Sequence, residues 1–220
     1  MTKVYSCLVQ KVEADLFHDL LLYVDVQVKD RIYRYKRKED QVRTLLAHAL
    51  SKMMLAKELQ TTPSVLQYKV NKYGKYELDG HPLCFNLSHA QDYVVCAISK
   101  KQVGVDIEKC IPRDFQLFTT VWSKEEKTQF NLRDHRSFYR LWTAKESYVK
   151  YLGIGLHACL TDISVDLNGS IMYQRMVSAA QVSYVKVHED YVCAVCSEEQ
   201  IEGVEHVSVE QIAAFFREDL

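Results

Sequence analysis

In the segment "QVGVDIEK", residues 102–109, two acids stand two positions apart in an otherwise apolar run: Asp106 and Glu108. Val103, Val105 and Ile107 alternate with them. That is the period of a strand, so both acids leave the same face. Two carboxylates held side by side repel each other. Either a compensating group offsets the repulsion, or the pair marks a strand end open to water.

Further candidates for chemistry lie on both sides of this segment. Glu146 and Lys150, in "LWTAKESYVKYLGIGL", are four apart and share one face of a helix. Taken alone they read as a surface ion pair, stabilising by a few tenths of a kcal/mol. Ser88 and His89, in "FNLSHA", fall where a strand runs into a turn. No nucleophile elbow and no suitably placed acid accompanies them, so a structural histidine is the simpler reading. Lys75, after Gly74 in "YGKY", reads as a loop lysine, and the later "GIG" as a helix stop. Cys193 and Cys196 form a CxxC, but positions three apart in a strand face opposite sides and no second pair completes a zinc site.

These residues need elements to hold them. The chain has 220 residues, of which 48% are hydrophobic, enough for one large domain or two small ones. With a formal charge of −1 there is no global basic excess, so non-specific nucleic-acid binding is not implied, though local basic clusters could bind a small anion. The segment "MTKVYSCLVQ" has no signal-peptide core, and no apolar run reaches membrane-spanning length. Seven irregularly spaced cysteines argue against a disulfide framework and fit a reducing compartment. A cytoplasmic protein is expected, with no nucleic-acid or membrane partner.

Periodicity predicts a strand over 4–9, a helix over 13–23 and a long helix over 38–58, whose apolar stripe includes Val42, Leu45, Leu46, Ala49, Leu50, Met53 and Met54. Between the helices lies the basic stretch "KDRIYRYKRKED". "VLQYKV" reads as a strand and "NKYGKYELDGHP" as turns. "LCFNLSHA", "DYVVCAIS" and "QVGVDIEK" look like a three-strand meander. Ser123 with Glu126 starts a helix through a capping box. A second long helix is expected over 136–151, ending at Gly153 and Gly155, then strands over 163–167, 182–188 and 191–196. Ser208 and Gln211 suggest a last cap before a short helix to Phe216. A faint echo between "HAQDYVVCAIS" and "HEDYVCAVCS" fits either coincidence or two related halves. The fold class expected is α+β: two pseudo-symmetric halves, residues 1–102 and 103–220, each a long helix on a small, mainly antiparallel sheet, with the active site in the cleft between them.

Order lifts these weak signals. GK, NLSH, "GVDIE" (104–108) and "WTAKESYVK" (142–150) follow one another, and in that series the chain resembles the 4′-phosphopantetheinyl transferases of the surfactin-synthetase-activating type. "KEDQVRTLL" (38–46) is similar to that family's N-terminal helix, and the length matches its monomeric type with an internal pseudo-dimer, not the shorter trimeric type. The resemblance implies transfer of the phosphopantetheine arm of coenzyme A to a serine of an apo acyl or peptidyl carrier protein, a holo-acyl-carrier-protein synthase activity. Adenosine 3′,5′-bisphosphate is the other product, and the pathway is one of nonribosomal-peptide, polyketide or fatty-acid synthesis.

It also implies roles, residue by residue. Asp106, Glu108 and Glu146 match the metal-binding acids, and all-oxygen ligation suits Mg²⁺. Glu146 is also placed to take the serine proton. Lys150 matches the lysine at the diphosphate, where it would stabilise the departing phosphate. Ser88 and His89 match phosphate-holding positions, Lys75 the nucleotide-side lysine and Thr44 a contact to the 3′-phosphate, with Arg31 near another basic contact. Lys29, Lys36 and Lys38 fit a ligand role or a solvated basic face equally. Tyr76 stands where the family often has proline, which leaves that loop less fixed, and Ile107 offers no fourth ligand.

Two other readings compete: a metal-dependent phosphohydrolase using water as acceptor, and a non-catalytic module that binds coenzyme A or a carrier. The segment "CIPRDFQLFTTV", residues 110–121, is a candidate carrier-docking segment or, equally, core.

Overall fold

Strands that are apolar at successive positions need burial on both faces. β5 (Tyr93–Ser99) and β10 (Tyr191–Ser197) are two such strands, and the architecture forms around them. The computed structural model describes residues 1–9, 12–112 and 120–218. β5 lies in a four-stranded sheet with β1 (Thr2–Leu8), β4 (Cys84–Ala90) and β11 (Ile201–His206), in the order β11-β1-β5-β4. β10 lies in a five-stranded antiparallel sheet with β6 (Val103–Lys109), β7 (Ile163–Val165), β8 (Ser170–Tyr173) and β9 (Met176–Val185), in the order β6-β10-β9-β8-β7. A two-stranded hairpin, β2 (Tyr68–Val70) with β3 (Tyr76–Leu78), completes the sheets.

The layers run helix, sheet, sheet, helix. One face of the first sheet, with Phe85, Cys96 and Ile98, packs on α3 (Lys38–Leu59). Its other face, with Val4, Val95 and Ala97, meets Val105, Ile107, Cys193 and Val195 of the second sheet. The far side of the second sheet, with Val192, Ala194 and Cys196, packs on α5 (His135–Leu152). Cys193 and Cys196 thus serve different cores, as their spacing requires, and all seven cysteines are free.

The α+β class is therefore as expected, with both long helices within a residue or two of their predicted ends. The capping boxes at Ser123–Glu126 and Ser208–Gln211 are both formed. Three features differ. α3 is not a one-sided amphipathic helix: every residue from Thr44 to Ala56 is buried, because α1 (Ala14–Leu21), α2 (Val26–Arg34) and α6 (Val209–Arg217) share the core on its outer side. The basic stretch hides α2, whose Val28 and Ile32, four apart, are its buried stripe. Within the predicted turn region, Tyr76–Leu78 pairs with Tyr68–Val70 as a hairpin.

The expected meander is also corrected. β4 and β5 pair, but β6 leaves them and pairs with β10 of the other sheet. Local alternation specifies a strand without naming its neighbour. β11 and α6, from residues 201–217, return to the sheet and core of the N-terminal segment, so the chain crosses between the layers a second time. Among the described residues, no helix is long and apolar enough to cross a membrane.

Candidate active site

β4 and β6 are edge strands of different sheets that face each other without a backbone ladder. Side chains of β4 join them instead. The Asn86 Oδ1 accepts from Val105 N at 2.9 Å, and the Ser88 Oγ accepts from Ile107 N at 3.4 Å. Asn86 and Ser88 alternate along β4, so one strand face supplies both acceptors. Sequence reasoning missed Asn86; the signal available was a second polar residue two positions from Ser88.

The same seam holds the acids. The Ser88 hydroxyl donates to Asp106 Oδ1 at 3.0 Å, and the Lys150 ammonium donates to Ser88 Oγ at 2.8 Å and to Asp106 Oδ1 at 2.7 Å. Asp106 is buried, and its second oxygen, Oδ2, has no partner. The sequence pairs Lys150 with Glu146; the hydrogen bonds of its ammonium run to Asp106 and Ser88 instead. Glu146 lies within the field of both, and its carboxyl is pushed up by burial first and by the Asp106 charge second, against the opposing pull of Lys150.

Gly104 sets the height at which α5 rides over β6. A Cβ at that position would lie 2.0 Å from Ser147 O and 2.4 Å from Tyr151 N. Helix backbone and strand backbone are in direct contact there, which brings Lys150 within reach of Asp106 two residues along the strand. Gly104→Ala is expected to force helix and strand apart, cost about 1–3 kcal/mol or more in overpacking, and lower activity by displacing Lys150. Urea unfolding and an activity assay of the variant check both effects; unchanged stability and activity would refute this account of the glycine.

A cavity of about 380 Å³ opens beside this seam, a volume within the ordinary range of small-molecule sites. Arg31, Thr44, Lys75, Ser88, His89, Asp106, Glu108 and Lys150 all line it; Glu146 does not. Burial, with Lys150 next, lowers the His89 pKa to about 4, so the ring is neutral at physiological pH. Thr44 is buried, and its Oγ1 has no partner.

Lys75 lines the cavity and is also tied into the fold. Its ammonium donates to Gln102 Oε1, Val103 O and Tyr151 O at 3.0–3.2 Å, and burial lowers its pKa to about 8. The loop before it is held without proline. Asn71 Oδ1 accepts from Tyr73 N and Lys75 N, and its Nδ2 donates to Gly153 O. Gly153 ends α5 in the left-handed region, at φ 68°, where a Cβ would meet Lys75 Cδ at 2.8 Å. Lys75 therefore staples the hairpin loop to the C-terminus of α5.

Among the described residues, no three His, Cys, Asp or Glu side chains are gathered closely enough to hold a metal ion. Two observations nonetheless fit a hard cation: the unpartnered buried Asp106 Oδ2, and a Glu146 carboxyl that responds to the Asp106 charge. Of the candidate docking segment, residues 113–119 lie outside the described residues.

Residues 102–196 match the family model described as the 4′-phosphopantetheinyl transferase superfamily. The chain is 30% identical over 185 residues to the 4′-phosphopantetheinyl transferase Sfp of Bacillus subtilis (strain 168), covering 80% of this chain and 82% of that protein. It is 28% identical to the 4′-phosphopantetheinyl transferase gsp of Aneurinibacillus migulanus, over 85% of this chain and 81% of that one. A further 4′-phosphopantetheinyl transferase of Bacillus subtilis is 28% identical over 88% of this chain and 91% of its own.

Proposed function

The chain belongs to the 4′-phosphopantetheinyl transferase superfamily, surfactin-synthetase-activating type, and we propose that it transfers the phosphopantetheine arm of coenzyme A to a serine of an apo acyl or peptidyl carrier protein. The observation that carries this reading is the Lys150–Ser88–Asp106 cluster at the edge of a cavity that Arg31 and His89 also line.

The reaction forms a bond from the carrier serine Oγ to the phosphorus that bears pantetheine. It breaks the phosphoanhydride bond, and the bridging oxygen leaves with its electron pair on adenosine 3′,5′-bisphosphate. Positioning and charge neutralisation supply most of the catalysis in such transfers. Lys150 sits where it stabilises charge on the departing phosphate. The neutral His89 ring offers a hydrogen bond to phosphate oxygen, and Ser88 holds Lys150 and Asp106 in register. Glu146, its carboxyl raised by burial and by Asp106, accepts the serine proton. Asp106, Glu108 and Glu146 would hold Mg²⁺, which when bound supplies charge neutralisation at the diphosphate. Thr44 and Arg31 face the nucleotide side, with Lys75 holding the adjoining loop. A cytoplasmic monomer with two related halves fits this reading, and the seven free cysteines fit a reducing compartment.

Intact-mass spectrometry of a panel of apo carriers, incubated with the protein, coenzyme A and Mg²⁺, checks the proposal. The expected result is one added phosphopantetheine on at least one carrier, lost when Mg²⁺ is chelated. No addition to acyl or peptidyl carriers of any pathway would overturn it.

A further inference from the structure

Two ties join β4 to β6 along the cleft, Asn86 to Val105 and Ser88 to Ile107. A third lies further along the same seam, and the reaction above does not use it. β4 and β5 close as a hairpin whose last pair is Ala90 with Tyr93. Gln91 and Asp92 form its two-residue turn, with Gln91 in the left-handed region at φ 48°. Tyr191 of β10, 4% exposed, grips this tip in three ways. Its hydroxyl donates to Asp92 Oδ2 at 2.9 Å and accepts from Asp92 N at 3.2 Å, and its ring meets the Tyr93 ring edge to face, with centroids 5.0 Å apart. Tyr93 and Tyr191 are the tyrosines of the two echoed segments. Lys109 also donates to Asp92 Oδ2, at 3.1 Å, but Asp92 is 56% exposed, and an ion pair open to water adds little.

We propose that Tyr191 is a positioning residue for the transfer: by clamping the β4–β5 tip to the sheet of β6 and β10, it holds His89 and Glu108 at a fixed separation before coenzyme A enters. The proposal rests on the coenzyme A reading. His89 stands just before the last pair of the hairpin, and Glu108 just before Lys109, the backbone partner of Tyr191. Both His89 and Glu108 line the cavity. β4 and β6 share no backbone ladder, so side-chain ties resist their splaying, and a hairpin tip beyond the last tie is where opening is easiest. Other anchors of the tip do not reach β6. Arg43 of α3 donates to Gln91 O at 3.0 Å and Val9 N to Asp92 O at 2.6 Å, but both belong to the N-terminal layer and move with the tip. Without Tyr191 the cleft must be closed at the moment of binding, and that ordering subtracts from affinity. Ground state and transition state lose equally, so the loss falls on KM and not on kcat.

The test measures KM and kcat for coenzyme A with a carrier that the wild type modifies, calorimetric binding of coenzyme A, and urea unfolding, in the wild type, Tyr191→Phe, Asp92→Ala, their double variant and Tyr5→Phe. Tyr5 is the matched control. Its hydroxyl donates to Glu58 Oε1 at 3.1 Å beside Lys3, the same set of tyrosine, lysine and carboxylate, and none of the three lines the cavity. Tyr191→Phe keeps the ring and loses the hydroxyl. It and Asp92→Ala are each expected to raise KM and Kd for coenzyme A about fivefold, the loss of one hydrogen bond, with kcat as in the wild type. The double variant should fall short of the product of the two, because they share a bond. Tyr5→Phe should lower stability comparably and leave KM and Kd unchanged. Wild-type constants in both cleft variants, a loss in kcat alone, or an equal rise of Kd in Tyr5→Phe would overturn the proposal. If the wild type neither binds coenzyme A nor modifies any carrier, the coenzyme A reading falls and the proposal with it; if it does both and Tyr191→Phe matches it, only the positioning role falls.

Discussion

Asp106→Ala is expected to lower kcat/KM for carrier modification by about 10³-fold or more, the upper range for deleting one electrostatic contact to a reacting phosphate. The structure explains why so much hangs on one carboxylate. Oδ1 is the anchor for both Ser88 and Lys150, and Oδ2 is buried and free for a cation. Removing the carboxylate undoes both functions. The fold should tolerate the change. Lys150 keeps its bond to Ser88 and is 28% exposed, so water can take the place of the lost acceptor. Asp106→Asn separates charge from shape: it keeps an oxygen for Ser88 and Lys150 but removes the field on Glu146. Because Asp106 raises the Glu146 carboxyl, the Glu146 pKa should fall in Asp106→Asn. Steady-state kinetics with a carbon-detected titration of Glu146 reads both. An Asp106→Ala variant that keeps more than a tenth of wild-type activity would remove Asp106 from the reacting centre.

What the sequence made legible was what depends on local spacing. The alternation in 102–109 set the two acids on one face, the four-residue step set Glu146 and Lys150 on one side of α5, and Ser–x–x–Glu marked the cap of α4 (Lys124–Gln129). What stayed hidden depends on which strand becomes whose neighbour. The segment 103–109 reads as a third strand beside β4 and β5, yet its backbone bonds run to β10 and only Asn86 and Ser88 tie it to β4. Lys150 illustrates the same limit. Its helical neighbour Glu146 is visible at i−4, whereas its hydrogen-bonded acid, Asp106, is 44 positions away and reaches it only because Gly104 lets helix and strand touch. Lys75 looked like a loop cation because the carbonyls that hold it, Val103 O and Tyr151 O, belong to distant elements. Backbone acceptors have no sequence signature at all.

Lys145, the residue before Glu146, carries the largest stability prediction. A helix places successive residues about 100° apart, so where Glu146 turns toward Asp106, Lys145 turns into the core. It is 0% exposed, with its ammonium 2.8 Å from Glu126 Oε2 and 2.9 Å from both Val121 O and Leu160 O. Glu126, 1% exposed, also accepts from Ser123 N and Val165 N. The pair thus ties α5 to the cap of α4 and to β7. Breaking a buried pair from one side leaves an uncompensated charge and costs about 3–5 kcal/mol. Lys145→Ala should lose that much stability and drop the Tm by roughly 10 °C for a chain of this size. Joint replacement, Glu126→Gln with Lys145→Met, removes the stranded charge and should recover much of the loss. Urea unfolding of the two variants beside the wild type distinguishes the cases: a Lys145→Ala deficit below about 1 kcal/mol, or a double variant no more stable than Lys145→Ala, would mean that the ion pair does not hold α5 in place beneath Glu146 and Lys150.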